Sequence, residues 1–106
     1  MKFKYAIGMI SAALANAFSA TVYTGPVAVT EIKLESEYIF VKFSSQIANP
    51  VGCTDLSWSV ITPNPDSNRL LTMLLTAKST GTNVEVGIMN DDCHTGKIRI
   101  ATLWMK

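Results

Sequence analysis

From Val27 onward, apolar and polar residues alternate in short runs, with one interruption. Thr30, Ile32 and Leu34 alternate with Glu31, Lys33 and Glu35, the pattern of a strand with one wet face. After Ser36-Glu37, the run Tyr38 to Phe43 puts Ile39, Val41 and Phe43 on one face and Tyr38, Phe40 and Lys42 on the other. The two runs read as an antiparallel hairpin. Ser44 to Gly52 carries Asn49-Pro50 and reads as a loop that delivers Cys53 to a third strand, Leu56 to Ile61. Val84, Val86 and Ile88 alternate in a fourth strand over Asn83 to Met89. Asn90-Asp91-Asp92 reads as a turn, and Lys97 to Met105 as a fifth strand with Ile98 and Ile100 inward. Residues 21–26 read as a short leader ended by the Gly25-Pro26 breaker.

The interruption is helical. Asn64 suits an N-cap, Pro65 the first helical position, and Asp66 the positive end of the helix dipole. Lys78 and Gly81 supply a matching C-terminal end, which predicts a helix over residues 65–79. Leu70, Met73, Leu74 and Ala77 make one stripe, and Leu71 and Leu75 widen it. A helix plugging a hydrophobic core accounts for the stripe. The alternative makes Leu71 and Leu75 part of a contact between copies of the chain, a homo-oligomer formed through the helix.

The first twenty residues have the form of a signal peptide. Lys2 and Lys4 precede the apolar run Ala6 to Leu14, and small residues place cleavage after Ala17 or Ala20. The expected mature chain, residues 21–106, is secreted or periplasmic, with no membrane span once the signal is removed. Without Lys2 and Lys4 the nine basic residues become seven against eight acidic ones, and a nucleic-acid partner is not expected. A single domain this small is marginal without a crosslink. Cys53 and Cys93 are the only cysteines in a chain bound for an oxidising compartment, and they read as a disulfide. Free thiols, or a metal shared with the neighbouring histidine, are the alternatives.

Catalytic chemistry finds few residues. His94 is the single histidine and reads as an exposed turn residue. Asp91, Asp92 and His94 lack the spacing of a metal-ligand frame. No phosphate-binding glycine loop, paired-cysteine metal motif or cofactor motif is present, so an enzyme is not expected. Binding has more to work with. Trp58, Trp104, Tyr23 and Tyr38 are aromatics with a polar handle, able to stack on sugars or anchor protein contacts, and Trp104, Tyr38 and Trp58 are the candidate ligand-binding residues. The order β-β-β-α-β-β and the short strands fit an OB-like five-stranded small barrel, mainly β with one α-helix and one disulfide. A flat open sheet packed by one helix is the runner-up.

The run Asn64-Pro65-Asp66, Leu70-Leu71, Leu74 to Ala77, Lys78 and Gly81, with Cys53 before the third strand and Cys93 after the fourth, resembles a group of small secreted bacterial proteins. Their layout is similar to the B subunits of pentameric AB toxins. That resemblance implies an OB fold, a closing disulfide, glycan binding and helices lining a central pore. It carries over no binding residue. The expectation is therefore a non-enzymatic domain for glycan or cell-surface recognition. The competing class is a structural or inhibitory module that acts on another protein.

Overall fold

The computed structural model describes residues 21–106, and the signal-peptide segment lies outside the described residues. The described residues are mainly β with one helix and one disulfide. In order it runs β1 (Thr21–Val27), β2 (Val29–Glu35), β3 (Tyr38–Phe43), β4 (Ser59–Ile61), α1 (Ser67–Thr80), β5 (Val84–His94) and β6 (Lys97–Met105). The strands form a single mixed sheet in the order β1-β5-β6-β4-β3-β2, in which only β4 and β6 are parallel.

This differs from a five-stranded closed barrel. Among the described residues there are six strands, and the sheet is not closed by a ladder between its end strands β1 and β2. Those two strands are nevertheless consecutive, with only Ala28 between them. The residues expected as a leader are β1, paired antiparallel with β5 from Thr21↔Met89 to Val27↔Val84. Gly25-Pro26, which reads as a breaker, is a register shift inside that strand. Gly25 sits at φ +146°, and a Cβ there would lie 2.8 Å from the Val84 carbonyl oxygen and 2.9 Å from Glu85 Cα. Glycine is the residue that lets β1 approach β5 this closely.

The core lies between the inner sheet face and α1. Ile39, Val41, Ile61, Val84, Val86, Ile88, Ile98, Ile100 and Leu103 supply the sheet side, and Leu70, Leu74 and Ala77 the helix side. The alternation read in β5 and β6 is the alternation that is buried; in β3 Ile39 and Val41 are buried as read and Phe43 only partly. The helix starts later than expected because Asn64 shapes the turn before it. Its Oδ1 accepts from the Asp66 N–H at 2.7 Å, and its own N–H donates to Ser67 Oγ at 3.0 Å. Asp66 occupies the N-cap position with no side-chain cap. Gly81 takes the left-handed conformation at φ 69°, as expected. Among the described residues no helix is long and apolar enough to cross a membrane.

Cys53 and Cys93 are bonded, with Cα atoms 5.8 Å apart and a sequence separation of 40. Closing a loop of that length restricts the unfolded chain by about 4 kcal/mol in the loop-entropy model. Asn49 braces the same junction: its Oδ1 accepts from the Cys53 N–H at 2.7 Å and its Nδ2 donates to the Cys53 carbonyl at 2.9 Å. The Asn90–Asp92 stretch, read as a turn, instead belongs to β5, and the chain reverses at Thr95-Gly96, both at positive φ.

Replacing Gly25 by alanine is expected to cost roughly 1–3 kcal/mol. The new Cβ meets backbone, which cannot move aside as a flexible side chain can. Urea unfolding of the oxidised protein measures it, and an unchanged midpoint would show that β1 does not press on β5 in solution.

Candidate functional site

The outward face of β2 and β3 carries an aromatic ridge. Tyr38, Phe40 and Lys42 point outward from β3, as their alternation with Ile39 and Val41 dictates. Register sets their partners on β2: Glu35 opposite Tyr38, Lys33 opposite Phe40, and Glu31 beside Lys42. Trp58, just before β4, meets the Phe40 ring edge-on at 6.5 Å between centroids. Tyr38 lies 6.4 Å from Phe40 on its other side and stacks on the His94 imidazole at 4.7 Å. The order along the ridge is therefore His94, Tyr38, Phe40, Trp58.

Phe40 and Val60 are buried, at 8% and 0% exposure, yet neither belongs to the main core. They form a second apolar cluster outside the sheet, roofed by Trp58, Tyr38 and the lysine stems. The Lys33 ammonium stands 4.9 Å from the Phe40 ring and 4.8 Å from Trp58, and that of Lys42 is 4.7 Å from Trp58. These are cation–π distances. They hold the indole in place and leave two ammonium groups beside it.

Two clefts adjoin the ridge, one at Trp58 and one at Tyr38. At Trp58, a cavity of about 380 Å³ is lined by Thr30, Lys42, Ser44, Gln46, Ser57 and Trp58 among others, a wall of hydroxyl, amide and ammonium groups beside one indole. At Tyr38, a cavity of about 550 Å³ lies between the β2–β3 turn and the start of α1, with Leu34, Glu37, Tyr38, Asn68 and Leu71 in its walls. Tyr38 and Trp58 are thus joined through Phe40, which pattern reading did not single out.

Trp104, the third expected residue, is elsewhere. It pairs with Tyr23 on the β1–β5–β6 part of the sheet and is 50% exposed. His94 is not an exposed turn residue: it ends β5, half-buried against Tyr38. Asp91 and Asp92 both face Arg99, Asp92 as a hydrogen-bonded ion pair and Asp91 at 3.7 Å. That partner lies on the next strand and cannot be read from local sequence. Of the two residues expected at an interface, Leu71 is partly buried against the core, and Leu75 is 52% exposed.

The loop that carries Trp58 is pinned at its base. The Asp55 N–H donates to the Gly96 carbonyl at 2.9 Å, and Lys97 Nζ donates to Asp55 Oδ2 at 2.8 Å. The Lys97 hydrogen bond, then those from the Ser57 hydroxyl and N–H, hold the Asp55 carboxyl well below the usual carboxylate range. A depressed carboxylate stabilises the fold when ionised in both states, above its unfolded value of about 4, and that contribution is lost as pH falls below it. Stability should therefore decline from about pH 4 downward, and Asp55→Asn should reduce that acid-side slope. Denaturation midpoints across pH for both proteins measure it, and identical slopes would remove Asp55 as the cause.

Compared with protein-family models, with curated proteins and with solved structures, the chain finds no match in any of the three.

Proposed function

We propose that the protein is an exported, non-enzymatic recognition domain that binds an oligosaccharide along the His94–Tyr38–Phe40–Trp58 ridge. The observation that carries this reading is the ridge's position, with Trp58 in the wall of one cleft and Tyr38 in the wall of another. A sugar presents C–H faces that stack on aromatic rings and hydroxyls that need hydrogen-bond partners. Trp58 supplies the first, and Thr30, Ser44, Gln46, Ser57 and Lys42 supply the second.

The fold supports the same reading. Taken as two halves of one strand bent at Ala28, β1 and β2 bring the two ends of the sheet order to a single strand, and the chain becomes β-β-β-α-β-β. We read this order as OB-like, a class whose sheet face is a common seat for oligosaccharides. A toxin B-subunit-like assembly is a second reading, favoured by one observation. Leu34 and Leu75 are 60% and 52% exposed, and Leu71, one turn before Leu75, shares a cleft wall with Leu34.

A glycan array probed with the oxidised mature protein tests the proposal. Binding is expected, with Trp58→Ala and Tyr38→Ala each lowering affinity by roughly tenfold or more. An array without signal, or binding indifferent to both substitutions, would overturn it. The native mass of the same sample decides the second reading, since a single chain in solution removes the ring.

A further inference from the structure

Tyr23 and Trp104 form a second aromatic surface that the ridge does not use. Their centroids are 5.2 Å apart and their planes are inclined by 40°, so the rings make a shallow trough. They remain 47% and 50% exposed. The strands beneath are β1, β5 and β6, with Tyr23 registered on Gly87, Gly87 on Thr102, and Trp104 on Glu85.

Gly87 makes the trough possible. A Cβ there would lie 2.9 Å from Tyr23 Cε1 and 2.5 Å from Thr102 Cγ2. The Tyr23 ring therefore occupies space that any other residue would fill. Covering an otherwise bare glycine in a strand is a sufficient structural reason for Tyr23. It is not a reason for Trp104, which stands opposite Glu85, covers no glycine, and leaves half of a large side chain in water.

The surrounding groups fix the class of ligand. The Glu85 carboxylate lies across from Trp104, and Lys106 Nζ stands 3.7 Å from it. The two charges face each other at the rim, which favours neither an anion nor a cation. Thr21 and Thr102 turn their Cγ2 methyls toward the Gly87 position and extend the apolar floor beside the Tyr23 ring. An uncharged pyranose offers a C–H face for the trough and hydroxyls for Glu85 and Lys106 at its rim. We infer that the Tyr23–Trp104 trough is a second binding site, separate from the ridge, for a neutral hexopyranose unit.

The chain's two tryptophans make the test direct, because each indole N–H reports on one site alone. Uniformly ¹⁵N-labelled, oxidised mature protein is titrated with the methyl glycosides of galactose, glucose, mannose and fucose. At least one is expected to move the Trp104 indole cross-peak saturably. Tyr23→Leu, which still covers Gly87, should weaken that response by roughly fivefold, and Tyr23→Phe should largely keep it. A Trp104 peak that stays still with all four sugars overturns the inference. So does a response unchanged in Tyr23→Leu, or a peak that shifts with protein concentration alone, which would make the trough a contact between copies. Movement of the Trp58 peak alone would leave the ridge standing and remove the trough. Movement of Trp104 alone would do the reverse.

Discussion

The bond between Cys53 and Cys93 is the constraint on which the outer face depends. The segment between β3 and β4 contains no helix or strand of its own, and a loop of that length keeps its shape only when tied down. The bridge ties it to the end of β5. Around the bridge, Asn49 clamps the Cys53 backbone, and Asp55 joins the β5–β6 hairpin through Gly96 and Lys97. These contacts converge within a few residues of Trp58. The indole is therefore delivered to Phe40 from a fixed base rather than from a free loop.

Two apolar layers result, with different purposes. The inner one, between the sheet and α1, supplies most of the burial. The outer one, Phe40 and Val60 under Trp58 and Tyr38, is too small to hold a fold but large enough to fix rings in place. Lys33 and Lys42 do two things there. Their stems cover apolar surface, and their ammonium groups stand over the Phe40 and Trp58 rings. Preorganised rings lose little entropy on binding, so a modest contact area can still give useful affinity.

Much of the inner layer was legible in the sequence, because it follows period-two alternation. Ile39 and Val41, Val84 to Ile88, and Ile98 and Ile100 are buried where the pattern puts them. What alternation could not show was register. Gly25-Pro26 looks like a terminator, and a bulge inside a strand has the same local signature; only the approach of β5 separates the two. Asn90-Asp91-Asp92 has the composition of a turn, but Arg99 on the neighbouring strand holds its carboxylates. The candidate site followed the same division. Tyr38 and Trp58 stood out as amphipathic aromatics. Phe40, Lys33 and His94 joined them only once β2 met β3 and the bridge set the end of β5. The pairing of Tyr23 with Trp104 across Gly87 was equally hidden, since it needs β1 to be a strand.

Hydrogen exchange on the oxidised and reduced protein tests the role of the bridge most directly. If the disulfide holds the ridge, reduction will leave the amides of β3, β5 and β6 protected while residues 53–58 lose protection and the Trp58 indole moves toward the shift of a solvated side chain. Equal protection of residues 53–58 in both forms, with the Trp58 signal unmoved, would show that the ridge stands without the bridge.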